Sequence, residues 1–450
     1  VFQGLLAIAA LLCPVFLLGA GVASLANAAT YEWAWNRRRL SPWQPTPEGV
    51  GRRTWADCLP VVGWLRLRRD APVLGRGFWV RPMLVELLFG LAMAALFVWE
   101  VGVIGLINPQ LGWVSSGIFW PPLFAYLFHF VLAALMLVAT LIDIDEKTIP
   151  DQITVPGTLI GLVLASLLPM GQLPNLEERA FRPDVGELVK PILMNQLPGP
   201  MGEPVYLEPT HINAPNEWPT ALIGGPNNRS SLLLGLGCFV FWCFALTPRF
   251  WRMRRGVLFG LGVLLRRVGR ELNRRPLREI LLVGVLWTTC VWYTGGAAWQ
   301  GLLTALVGMI VSGSIVWAVR IVGSLALGRE AMGFGDVTLM MMIGAFLGWQ
   351  AGLMIFFLAP FAALIIGISQ LVLRRDDEIP YGPFLCLAAA FVVVQWGTVW
   401  PRSEALFAMG TVLPVVLIVC LVLLGVMLAI WRQFKLRVLG ISEDWDDEPT

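Results

Sequence analysis

The sequence predicts an all-α fold, a polytopic transmembrane helical bundle, and two observations carry that expectation. The 450 residues are 57% hydrophobic and only 14% charged, whereas a soluble domain carries roughly a quarter charged residues. Apolar runs of about 20 residues, enough to cross the hydrocarbon core as helix, recur along the whole length. A membrane barrel would show short alternating segments instead, and no stretch alternates in that way.

Taken in order, the apolar segments fall near 4–31, 84–107, 118–142, 153–169, 231–248, 279–295, 300–325, 337–349, 351–373, 381–398 and 408–431. That makes about eleven, of which 337–349 is short for a full crossing and 153–169 is at the lower limit. The first run is too long for a cleavable signal core and precedes Arg37, Arg38 and Arg39, so it is expected as a span with a cytoplasmic loop after it.

Two loops, 32–82 and 249–278, are rich in arginine, while 170–230 is rich in proline and acids. The positive-inside rule puts both arginine loops in the cytoplasm and 170–230 outside. Alternating crossings from an outside N-terminus satisfy all three placements and leave Arg374, Arg375 and the Lys435/Arg437 tail inside. The 170–230 segment is expected as a small irregular insert. The 264–278 stretch is read as an amphipathic helix on the inner surface, compatible with contact to anionic lipid. A net charge of +3 gives no reason to expect a nucleic-acid partner.

Ionisable residues at the edge of membrane spans are costly and therefore functional candidates. Asp143 ends the third segment, followed by Asp145, Glu146, Lys147 and Ile149-Pro150-Asp151; Asp336 opens the eighth after Gly333-Phe334-Gly335. Charge counting puts both at the cytoplasmic membrane edge. Two carboxylates at one depth can share a proton, so that one activates water while the other donates to a scissile carbonyl. Gly333 and Gly335 allow a sharp turn and close approach of a substrate strand to Asp336, and Pro150 holds the turn after Asp143 open. The only histidines are His129, inside a span, and His211, on the outer insert, so a Ser/His or Cys/His mechanism has little support. Acids at span ends also simply meet water, and glycine is plentiful, so the residues alone leave both readings open.

The wording around the aspartates is more specific. Leu141-Ile142-Asp143-Ile144-Asp145-Glu146-Lys147-Thr148-Ile149-Pro150-Asp151 resembles the first-aspartate motif of type IV prepilin peptidases. Glu330-Ala331-Met332-Gly333-Phe334-Gly335-Asp336-Val337 resembles the second, and Ile379-Pro380-Tyr381-Gly382-Pro383-Phe384 resembles a later element with Tyr381 substituting. Asn27, the stretch 57–65 and Arg81-Pro82 to Gly90 are similar to the family's first domain. The resemblance covers roughly 1–170 and 300–398. It divides the chain into an N-terminal region 1–110, a first catalytic-aspartate region 111–169, an insertion 170–299, a second catalytic region 300–398, and an extra span with an acidic tail, 399–450.

The resemblance implies an aspartate endopeptidase in a bacterial inner membrane, its active site facing the cytoplasm. Its substrate would be a prepilin or pseudopilin with a basic leader, cut after a glycine. Asp143 and Asp336 would be catalytic, with Glu86 and Asp151 as further candidates and Asp145 a solvated neighbour. No cofactor is expected for cleavage. The family's zinc-binding cysteine pairs are missing from the first loop, which holds only Cys58. No metal is therefore expected, and the N-methylation with S-adenosylmethionine associated with that region is left open. Two other readings remain: a presenilin-like GxGD protease cutting within a span, and a proton-coupled transporter using the carboxylates as relays.

Overall fold

The computed structural model describes residues 2–47, 49–103, 105–107, 120–180, 193–198, 204–210, 218–219, 222, 224–247, 270, 275–328, 330–372 and 380–438. His211, most of the 249–278 basic loop, Arg374 and Arg375, and the acidic end of the chain lie outside these residues.

The chain is an all-α bundle. Its helices are α1 (Phe2–Trp33), α2 (Val62–Leu67), α3 (Ala71–Leu74), α4 (Val80–Phe97), α5 (Trp120–Glu146), α6 (Asp151–Leu167), α7 (Arg229–Ala245), α8 (Arg275–Thr294), α9 (Gly296–Leu327), α10 (Phe334–Val372), α11 (Gly382–Val394), α12 (Trp396–Phe407) and α13 (Val412–Val438). Every apolar segment read from the sequence coincides with one of them. Six stretches among the described residues are long and apolar enough to cross a membrane, or seven if α11 and α12, bent by 97°, form one broken span. The shorter α6 and α7 account for part of the difference from eleven.

Helix α8 is likewise not among the spans, and the last of the difference comes from α10. It is interrupted at Gly348, where φ is 81° and ψ is 174°. As a straight rod its 39 residues would extend about 58 Å, and the eight residues from Val372 to Pro380 could retrace at most about 28 Å. Yet Gly335 and Gly382, flanking this stretch, both stand against Ile149. The chain must double back, so α10 is two legs, matching the separate segments 337–349 and 351–373. The first leg, 334–347, covers about 21 Å, less than the roughly 30 Å hydrocarbon core. Val337, Leu339 to Ile343, Ala345 and Phe346 on it are all fully buried, the mark of a helix apolar on every side because it runs through the middle of a bundle.

Packing between spans cannot draw on the hydrophobic effect in lipid and depends on close contact. Helices α9 and α10 approach backbone to backbone, where a Cβ on Gly308 would stand 2.2 Å from the carbonyl oxygen of Gly344. One large core is built from α5, α6, α9, α10 and α11; a smaller one joins α1, α4 and α5 through Ala23, Phe89, Met93, Phe97, Tyr126 and Phe130.

The 170–230 segment departs from the irregular insert expected of it. Strands β1 (Asn175–Ala180), β2 (Leu193–Pro198) and β3 (Pro204–Thr210) form an antiparallel sheet in the order β1-β3-β2, with Asn175 opposite Thr210 and Ala180 opposite Val205. Strand β1 and its partner β3 are about thirty residues apart in sequence, so the partner that satisfies each backbone is invisible to local pattern. Trp396 and Trp400 of α12 tie the start of this sheet to the bundle through Pro174 O at 2.7 Å and Asn175 Oδ1 at 2.9 Å.

The first loop is held by buried carboxylates. Asp57 accepts from the Thr54 N–H at 2.8 Å, Arg66 Nε at 3.2 Å and Arg69 Nη2 at 2.7 Å. Burial pushes its carboxyl up, but the Thr54 N–H and the two guanidiniums outweigh this and hold it at about 2. Glu86 accepts from the Val61 N–H at 2.6 Å and Trp64 Nε1 at 2.7 Å, and Asn27 Nδ2 lies 3.4 Å away.

Candidate active site

Asp143 occupies the last turn of α5. The helix closes through Lys147, whose φ of 55° is left-handed and whose N–H reaches Asp143 O at 2.8 Å, a local ending that leaves only Thr148 and Ile149 before the next cap. Pro150, with φ −76° and ψ 142°, is the extended residue that starts α6 at Asp151. Ile149 between them is buried.

Asp336 lies in the first turn of α10, where unpaired N–H groups and the helix dipole favour a carboxylate. The approach to that turn is pinned from α9. Arg320 donates from Nε to Met332 O at 2.8 Å, pairs with Glu330, and lies 5.6 Å over the Phe334 ring. Ala331 N–H donates to Ser324 Oγ at 3.2 Å.

Ile149 sets the register between the two aspartate segments. A Cβ on Gly335 would stand 2.9 Å from Ile149 Cβ, and one on Gly382 would stand 2.9 Å from Ile149 Cδ1 and 2.5 Å from Asp143 Oδ2. A side chain at either position would have to displace its neighbour, and at Gly382 the open space lets its N–H donate to Asp143 Oδ2 at 3.1 Å. Asp143 and Asp336 are 4% and 8% exposed. Both line a single cavity of about 660 Å³, together with Lys147, Glu330, Gly333 and Tyr381. An open polar cavity with two nearly buried carboxylates on its wall can hold a water and an extended peptide, the two reactants of acid–base hydrolysis.

The other residues singled out from sequence are placed as follows. Gly333 lines the cavity, Gly335 packs on Ile149, and Pro150 caps α6. Asp151 is exposed outside the cavity lining. Glu86 also lies outside it, fully buried and occupied by the first loop. Asp145 is bridged to Arg81 at 2.6 Å.

Sequence reasoning gave no role to Ile149, Tyr381 or Gly382, although each sits inside a motif quoted for its neighbours. It also missed Glu100. This residue, on a π-helical turn after α4, places Oε1 2.8 Å from His129 Nδ1, with both side chains buried. One acid and one histidine in separate spans were the available signal for that pair; it stands apart from the cavity.

The four-thiolate zinc site that the resemblance implies does not fit this chain. Cys58 is the one cysteine of the first loop, with Sγ 3.8 Å from Pro42 O. Among the described residues no group of three or more His, Cys, Asp or Glu is arranged to hold a metal ion.

Comparison with known proteins agrees with the family expected from the motifs. Residues 270–368 match the type IV leader peptidase family; the matched stretch contains Asp336, while Asp143 precedes it. The chain is 32% identical over 145 residues to a prepilin leader peptidase/N-methyltransferase of Aeromonas salmonicida, covering 30% of this chain and 48% of that protein. It is 29% identical over 176 residues to the protein of the same description from Pseudomonas aeruginosa, covering 38% and 59%. The one from Pectobacterium carotovorum is 28% identical over 145 residues, covering 32% and 52%. The chain thus spans about half the length of the curated relatives it matches. No solved structure matches it.

Proposed function

We propose that this integral membrane protein, whose residues 270–368 match the type IV leader peptidase family, is an aspartate endopeptidase. In this reading it removes the basic leader from a type IV prepilin or pseudopilin after a glycine, at the cytoplasmic edge of the bacterial inner membrane. The observation that supports it is the shared cavity: Asp143 and Asp336 come from segments almost two hundred residues apart and line one wall.

The pair shares one proton. Both carboxyls are nearly buried on the same cavity and Gly382 N–H donates to Asp143 Oδ2; two carboxyls set together in this way titrate as a unit and hold one proton between them. The ionised member takes a proton from water as it attacks the scissile carbonyl; the protonated member donates to the carbonyl oxygen. The leader has to be extended at the site, since a helical peptide bond is buried in its own hydrogen bonds.

The test is mass spectrometry of a candidate prepilin incubated with the purified full chain. Asp143→Asn and Asp336→Asn are each expected to lower cleavage by at least about a thousandfold while leaving the protein in the membrane. Activity is expected to fall on both the acid and the alkaline side, as a half-protonated pair requires. Wild-type cleavage by either variant would sink the reading. A methyl group on the product, which this proposal does not require, would be read in the same spectrum.

A further inference from the structure

We propose that a second cavity, bounded by Arg37, Arg38, Arg39, Trp43 and Gln44, is a phosphate site for the headgroup of an anionic phospholipid. It encloses about 580 Å³ immediately after the end of α1, with Glu32 and Pro45 completing its lining. Three guanidiniums against one carboxylate leave the site positive.

Arg37, Arg38 and Arg39 combine two features: they line one cavity, and no carboxylate among the described residues engages them. Elsewhere in the same loop Arg53 donates to Leu40 O, Arg66 and Arg69 hold Asp57, Arg68 covers the Trp79 ring and Arg81 holds Asp145. Among the described residues no carboxylate stands within ion-pair distance of Arg37, Arg38 or Arg39. Three arginines lining one hollow suit a phosphate, whose oxygens can accept two parallel hydrogen bonds from a planar guanidinium.

The level of the cavity selects a lipid over a soluble anion. Trp43 Nε1 donates to Ser24 Oγ at 3.0 Å, and Ser24 lies nine residues before the end of α1, about 13 Å back along the helix. The loop therefore folds back beside the span, and one wall of the cavity reaches below the helix end. Trp33, Trp35 and Trp43 are all exposed here, as aromatic rings are where they meet headgroups.

Native mass spectrometry of the detergent-solubilised full chain, titrated separately with phosphatidylglycerol, phosphatidylcholine and inorganic phosphate, tests the assignment. A saturable phosphatidylglycerol adduct is expected, weakened on the order of tenfold or more by R37Q/R38Q/R39Q. The control R52Q/R76Q, two loop arginines outside the cavity, is expected to leave it unchanged. The charge-conserving R37K/R38K/R39K should fall between them, because it keeps the field and loses the forks. Single R38Q and R39Q variants supply the same comparison should the triple variant fail to fold. Equal weakening by the control means diffuse charge attraction and overturns the proposal, as does equal binding of phosphatidylcholine. Phosphate binding as tight as the lipid would overturn the lipid as occupant.

Discussion

At Gly382 a single missing methyl group decides whether Asp143 has its backbone donor. A Cβ there would stand 2.5 Å from Asp143 Oδ2, so Gly382→Ala is expected to displace the carboxylate and lower kcat/KM on a prepilin about a hundredfold. The unfolding midpoint should change little, and a variant with wild-type kcat/KM would remove this role. Glu86 shows the opposite case. Sequence marks it as an acid at a span edge, and burial without a charge partner would be costly. Its oxygens are instead filled by Val61, Trp64 and Asn27, which makes it a fastening for the first loop. Residue type and membrane position are the same kind of signal for Glu86 and Asp143; only neighbours distant in sequence separate them.

At the scale of elements, the first loop and α10 each depend on one local device. The Asp57 carboxyl is held at about 2, below its ordinary value of 3.8. A carboxyl lowered on folding adds stability that is complete above the unfolded value and disappears as pH falls through the folded one. The loop is therefore expected to loosen between about pH 4 and pH 2, losing at most about 2 kcal/mol. Hydrogen exchange across residues 54–70 would report it, and Asp57→Asn should show the same exchange already at neutral pH. If exchange in the wild type is flat over that range, Asp57 does not fasten the loop. In α10 the device is Gly348, whose positive φ lets the chain turn back and bring Pro380 and Tyr381 to the level of Asp336. Sequence showed two apolar segments here separated by one residue; their opposed directions follow from Ile149 touching both Gly335 and Gly382.

Across the whole molecule, the N-terminal region is attached to the end of the helix that carries Asp143. Arg81 holds Asp145 at 2.6 Å, and Glu146 accepts from the N–H groups of Trp35 and Asn36 at 2.6 and 2.7 Å. An isolated surface pair contributes little to stability, yet three contacts on two adjacent residues of one helix end fix its position. Arg81→Ala combined with Glu146→Ala is expected to raise KM several-fold with a smaller change in kcat, since the reacting groups remain while their setting loosens. Unchanged KM would show that the first loop does not position the site.

Apolar run length by itself determined that the chain is helical and membrane-embedded, because a backbone in lipid must satisfy its own hydrogen bonds. Arginine distribution gave the expectation that both aspartates lie at one membrane edge, and the residues around Asp143 and Asp336 pointed to the family. The tertiary structure decided what local pattern does not encode. Ile149 aligns the two aspartate segments, Gly382 supplies a donor to Asp143 from more than two hundred residues away, Glu100 finds His129, and three separated strands of the insertion make a sheet. In each case the partner is chosen by packing between distant segments, and close contact between spans is set by shapes that meet only once the bundle has formed.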